Sequence, residues 1–275
     1  GLQFDVLGDA KKRQAERRAA YNDAIAKLPA DELPAGWSTA SVLESCSEGD
    51  LDLIRTVGEV LYAGGDRIAP LDLAYLAQML DGHTEAAPLV ALIHPSSHTP
   101  ETIEQALLQF MRDSKEIAYL CKAVHHGLYY LDIDPTVSTW KHLLDEKGIA
   151  HRHSAATLLE LRALLEARWG TPQSAVEAYL DAVRFAELLG NDPYLSYHWL
   201  RYNVERRADI ALWELIDKHE IDAAALESIT QSLARRADTA RLKEVIVEDA
   251  MLETPRSIAA SDMNNPFTGK MAEMM

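Results

Sequence analysis

From Ser154 to Arg236 the chain alternates helical apolar spacing with helix-stop and helix-start residues, and little else intervenes. Leu158, Leu161, Leu165 and Trp169 recur at three and four residues and run into Gly170. Thr171-Pro172 opens a second run, in which Ala175, Tyr179, Ala182 and Ala186 line one side before Gly190. Asn191-Asp192-Pro193 opens a third. Proline suits the first turn of a helix and glycine the position after its last, so these residues read as starts and stops. Each such helix is expected to carry one strongly apolar face, which leaves water only by stacking on a neighbour. The stretch is therefore constrained to helix pairs packed side by side.

The same signs continue elsewhere. A helix is predicted from Asp9 to Leu28, ended by Pro29, and then a loop with one short turn from Asp31 to Ser47. Further helices are predicted over Asp50–Leu61, Pro70–Leu80 and Thr84–Ile93, the last bent by Pro88. A loop over His94–Thr99 leads into one long helix from Pro100 through Val124. Leu128 to Pro135 reads as an irregular connection and Thr139–Asp145 as a short helix. Asp222 caps a helix through Leu226, Ile229 and Leu233, and Leu242–Leu252 forms the last. Nothing reads as a sheet, so the expected class is all-α, with antiparallel helix pairs stacked as a solenoid. The expected divisions are an N-terminal helix (1–30), a helical N-terminal half (31–150), the paired half (151–255) and a C-terminal tail (256–275). Phe267 and the methionines would pack that tail on the body or on a neighbouring molecule.

The third run carries two apolar stripes. Leu195, Trp199, Tyr202, Trp213 and Ile216 make one; Tyr197, Val204, Ala208, Ala211 and Leu215 make the other. A helix apolar on two sides sits between neighbours, so Trp169, Tyr179, Trp199 and Trp213 are expected to be mostly buried. The alternative is a concave ligand surface for a peptide or sugar, with the aromatic faces of Tyr194, Tyr197, Trp199, Tyr202 and Trp213 as its platform and Arg201 or Arg206 as polar anchors.

A net charge of −16 argues against nucleic acid, which needs a basic surface. Lys11, Lys12, Arg13, Arg17, Arg18 and Lys27 make the first thirty residues net basic, so the acidic excess belongs to the remainder. This is either a solvated helix face or a segment beside an anionic membrane. No stretch approaches the ~18 consecutive apolar residues of a membrane span. The first residue is Gly1 and not methionine, which leaves room for a signal peptide or anchor ahead of it. Cys46 and Cys121 lack C-x-x-C spacing and read either as one disulfide or as free buried thiols.

Catalytic signatures are not met. His125-His126, His151-x-His153 and the His94/His98 pair are the closest histidine clusters; His94 and His98 flank Pro95 in a loop and neither His151 nor His153 has a carboxylate at helical ligand spacing, so neither metal nor cofactor is expected. There is no G-x-S-x-G elbow and no glycine-rich phosphate loop. Cys121 and His125 share a helical face, but lack the electropositive setting that activates a thiolate.

Ala175, Tyr179 and Ala182 after the Gly170 turn resemble the second helix of a tetratricopeptide repeat, in which small and aromatic residues let two helices approach closely. The resemblance covers about one repeat and implies a tetratricopeptide-like solenoid. Residues from about Leu71 to Leu252 resemble a group of uncharacterised exported bacterial proteins. In that group a helix opening like Asp192-Pro193 carries an arginine like Arg201, and a late helix carries a glutamate like Glu248. This resemblance implies a periplasmic or cell-envelope location behind an N-terminal anchor, and an Arg201–Glu248 ion pair of structural role. Glu166, by contrast, is expected to be a surface carboxylate. The expected function is a non-enzymatic module binding a protein or peptide at the cell envelope. The alternative is an α-helical enzyme acting on a glycan or lipid, which would need two carboxylates facing one pocket.

Overall fold

The computed structural model describes residues 6–29, 32–33, 37–62, 100–130, 146–190 and 195–236. Among them the only regular structure is helix, in the order α1 (Val6–Ala26), α2 (Thr39–Ser45), α3 (Gly49–Tyr62), α4 (Pro100–Asp113), α5 (Lys115–His125), α6 (Glu146–Trp169), α7 (Pro172–Leu189), α8 (Leu195–Lys218) and α9 (Ala223–Arg236). The helices expected at 70–80, 84–93, 139–145 and 242–252, the His94/His98 loop and the tail lie outside the described residues.

The expected punctuation is present at atomic detail. The Thr171 hydroxyl accepts from the Ser174 amide at 3.2 Å while the Ser174 hydroxyl accepts from the Thr171 amide at 3.0 Å. This reciprocal box satisfies amides that an incoming helix leaves unpaired, and Pro172 follows it at the start of α7. Asp222 accepts from the Ala225 amide at 2.8 Å and so opens α9. Gly127 closes α5 with φ +67°, a left-handed conformation that suits glycine, and the Leu128 amide reaches back to the Ala123 carbonyl at 2.8 Å.

Two boundaries differ from expectation. The stretch around residue 40 is more than a turn, because Ser38 and Ser41 form a second capping box that starts α2. The single long helix from Pro100 is two, because Ser114 takes an extended backbone and its hydroxyl accepts from the Ile117 amide at 3.3 Å. Serine offers the backbone an alternative partner, and here that splits the run into α4 and α5.

Helix α6 is the hub. Helices α7 and α8 lie along it and also pack on each other, α2, α3 and α4 touch its remaining sides, and α9 rests on α7. The expectation of one apolar face fails for α6. Ala155, Ala156, Leu158, Leu159, Leu161, Ala163, Leu164, Leu165 and Ala167 are all buried, as are the polar Arg152, Ser154, Thr157, Glu160 and Glu166. Glu166 is therefore not a surface carboxylate. Alanines at 175, 178, 182 and 186 of α7 are fully buried, which lets its axis approach α6 and α8 closely.

Arginine–carboxylate pairs fasten these packed helices. Arg112 of α4 holds Glu166 of α6 at 2.8 and 2.6 Å. Arg168 of α6 reaches Glu104 of α4 at 3.0 Å and Glu214 of α8 at 2.9 Å, and the Trp169 indole donates to Glu104 at 2.6 Å. Arg162 of α6 meets Asp181 of α7 at 2.9 Å, and Arg207 of α8 meets Glu160 of α6 at 3.1 Å.

Candidate functional site

The residues singled out on α8 fall on opposite sides of that helix. Tyr197, Leu200, Val204, Ala208, Ala211 and Leu215 face α6 and α7 and are buried. Trp199 is 68% exposed, Tyr202 61%, Trp213 72% and Ile216 50%. The expectation that both stripes are covered is thus corrected. The second stripe is core, and Trp199, Tyr202, Trp213 and Ile216 of the first face solvent. Of the four large aromatics, Tyr179 is fully buried and Trp169 half-buried against the core, while Trp199 and Trp213 are open.

The exposed stripe advances 199, 202, 206, 209, 213, 216, in alternating steps of three and four residues. Arg206 and Asp209 stand at its centre. Arg206 is exposed and, among the described residues, has no ion-pair partner. Asp209 accepts from Arg236 of α9 at 2.7 and 2.9 Å, and the same guanidinium lies 3.6 Å from Glu205. On the other flank, Arg207 and Glu214 are tied back to α6. Asp209 and the flanking Arg207 and Glu214 are therefore tied to neighbouring helices, whereas Arg206, among the described residues, is not.

The other expected anchors do different work. Tyr197 is buried, with the Arg152 guanidinium 4.2 Å over its ring. Arg201 donates to Glu205 one turn ahead at 2.7 Å and packs against Gly190, where an added Cβ would lie 2.7 Å from the Arg201 Cδ. Tyr194 and Glu248 lie outside the described residues. The structure thus brings Arg206, but not Arg201 or Tyr197, onto the open face. Trp199, Tyr202, Trp213 and Ile216 are its main apolar members; the favoured reading of the sequence had them in the core, and the aromatic-platform alternative had Trp199, Tyr202 and Trp213 open. Their i, i+3, i+7 spacing was visible, but nothing in it distinguishes a covered stripe from an open one.

Cys46 and Cys121 are free thiols, and burial pushes both up to about 12. Cys121 accepts from Arg162 at 3.0 Å, whereas His125 engages Arg184 through Nδ1 at 3.0 Å, so the two do not form a thiolate pair. An arginine only donates, which assigns His125 Nδ1 as the acceptor. His126 lies 3.3 Å from Glu32. Among the described residues no group of three or more histidine, cysteine, aspartate or glutamate side chains could hold a metal.

Burial pushes the Asp181 carboxyl up, and the Arg162 guanidinium only partly pulls it back. At Glu166 burial also pushes upward, but hydrogen bonds from Arg112 and Ser174 and the charges of Arg112 and Arg162 win and hold it below its ordinary value. An open cleft of about 770 Å³ lies between the α2–α3 turn and the α4–α5 break, lined among others by Glu48, Asp50, Phe110, Lys115 and Glu116. Asp50 and Glu116 sit in the first turns of α3 and α5, where an acid opposes the helix dipole. They need no ligand to explain them.

No protein-family model matches the chain, and neither does any curated protein or solved structure.

Proposed function

We propose that the chain is a non-enzymatic helical-repeat module that binds a protein or peptide through the outer face of α8. The carrying observation is that face itself. Trp199 and Tyr202 expose one apolar pair and Trp213 and Ile216 another, either side of Arg206 and Asp209, on a helix clamped on both flanks. Large aromatics on a rigid element, with an arginine among them, are the residues that dominate protein interfaces.

The α6–α7 hairpin with α8 lying on both supports a tetratricopeptide-like reading of this part of the chain, although α2, α3 and α4 also pack on α6. The exposed lysines of α1, Lys11 and Lys12, suit an anionic membrane surface nearby and favour the cell envelope as the setting. Among the described residues no helix is long and apolar enough to cross a membrane. A binding role is favoured over hydrolysis of a glycan or lipid because Glu104, Glu160, Glu166 and Asp181, the buried carboxylates among the described residues, are each held by an arginine.

The test is retention of proteins from envelope extract by the immobilised full chain, compared with Trp199→Ala/Trp213→Ala. The reading expects specific retention that the double variant loses, with unchanged circular dichroism. Retention indifferent to both tryptophans would overturn it.

A further inference from the structure

The exposed face of α8 is complementary to itself. Read along the helix it runs Trp199, Tyr202, Arg206, Asp209, Trp213, Ile216: two apolar residues, a cation, an anion, two apolar residues. Laid antiparallel on another copy, about a twofold axis between residues 206 and 209, Trp199 meets Ile216 and Tyr202 meets Trp213. Arg206 meets Asp209, and twofold symmetry makes that contact twice. We infer that the partner of this face is a second copy of the chain, docked α8 against antiparallel α8. This inference rests on the reading that the face binds protein, and names the protein.

The spacing of the six residues, the two charged ones included, is compatible with it. Steps of 3, 4, 3, 4, 3 keep a seam on one side of a helix that pairs with another at a shallow left-handed crossing.

The charges select the orientation. In a parallel, in-register pair Arg206 would face Arg206 and Asp209 would face Asp209, a like-charge arrangement on both counts. The antiparallel pair converts both into attractions. Each group is available for this. Arg206 is exposed and unpaired among the described residues. Asp209 is 38% exposed, and although both its oxygens accept from Arg236, each keeps a further lone pair. Arg236 also holds Asp209 in one rotamer, so the anion is positioned before the second copy arrives.

The exclusion of other occupants is an outcome of the test. Sedimentation equilibrium on the full chain is expected to show a concentration-dependent dimer. Arg206→Glu, which turns both cross-contacts into repulsions on an exposed residue, is expected to raise the dimer dissociation constant at least about tenfold. Register is read by cysteine trapping under mild oxidation. Tyr202→Cys/Trp213→Cys is expected to give a covalent dimer, because the two positions are about 16 Å apart along one helix and cannot bridge within a copy. Tyr202→Cys alone is expected to stay monomeric on a denaturing gel, and a dimer from it would mean parallel pairing and overturn the inference. A full chain that is monomeric also overturns it. If that monomer still retains an envelope protein through Trp199 and Trp213, only the identity of the partner falls. If retention ignores both tryptophans, the binding face falls with it.

Discussion

Arg112 and Glu166 meet through parallel N–H···O bonds, Nε to Oε1 at 2.8 Å and Nη2 to Oε2 at 2.6 Å, with the arginine side chain 40% exposed and the glutamate 2%. The pair joins α4 to α6. Glu166 Oε2 also accepts from the Ser174 hydroxyl at 2.7 Å, which belongs to the capping box that starts α7. One carboxylate thus ties together three helices at the α6–α7 turn.

The exposure difference makes the pair asymmetric to mutation. Arg112→Ala strands a buried carboxylate and is expected to cost about 3–5 kcal/mol of stability, the range for breaking a buried pair from one side. Glu166→Ala strands an arginine that already reaches water, so a smaller loss is expected, about 2 kcal/mol. Urea unfolding of both variants checks the order. Equal losses would mean that Glu166 finds water or another cation when Arg112 is removed.

The same carboxylate should shape the acid limb of stability. Its folded pKa lies below its ordinary value, so it contributes stability above the unfolded pKa, and that contribution is lost as pH falls through the folded one. Asp181 works in the opposite sense. Its folded pKa is raised, so its charged form costs stability at neutral pH and protonation relieves that cost as the solution is acidified. Glu166→Gln should therefore flatten the fall of melting temperature between neutral pH and about pH 3, near the carboxylate range. Asp181→Asn should steepen it. Thermal unfolding followed by circular dichroism at stepped pH reads both slopes.

The helices were legible because their ends are local chemistry. Thr171-Pro172, Gly190 and Asp222 act on amides and carbonyls within one turn, and the sequence displays them directly. What was not legible is what lies across from each face. Helix α6 is buried all round, so its apolar periodicity is weak, and Glu166 looked solvated although Arg112, 54 residues away, neutralises it. Helix α8 posed the reverse problem. Its two stripes are equally periodic, and only the positions of α6 and α7 decide that Ala208 and Leu215 go inward while Trp199 and Trp213 stay out. The break at Ser114 hid because serine is tolerated inside helices as well as at their starts.

Thiol reactivity gives a check on burial in the N-terminal half. Cys46 is fully buried, Cys121 is bound by Arg162, and both thiols are pushed up to about 12, chiefly by burial. At pH 8 neither should form appreciable thiolate, so a chromogenic disulfide reagent should report almost no labelling of the native chain. Both should react promptly in denaturant. Rapid labelling of one thiol in the native chain would show that α2 or α5 opens locally far more easily than its packing implies.

Gly170 offers the most local prediction, at the turn where the Glu166 clamp sits. Its backbone is not in the left-handed region, so conformational freedom is not the reason for glycine here. Space is the reason. A Cβ at 170 would stand 2.6 Å from the Glu166 carbonyl oxygen and 2.7 Å from the Ser174 hydroxyl, and would overlap the Glu166 carboxylate. The carbonyl cannot retreat, since it accepts the Gly170 amide at 2.8 Å in the last turn of α6. Gly170→Ala must then push the carboxylate off Arg112 and Ser174 together, or shift the start of α7. A loss of about 1–3 kcal/mol is expected, the usual scale for overpacking a close contact. The effect should shrink sharply in a Glu166→Ala background, because the displaced side chain is then already gone. A double-mutant cycle of the two changes measures this, and strict additivity would show that the cost lies in the backbone alone.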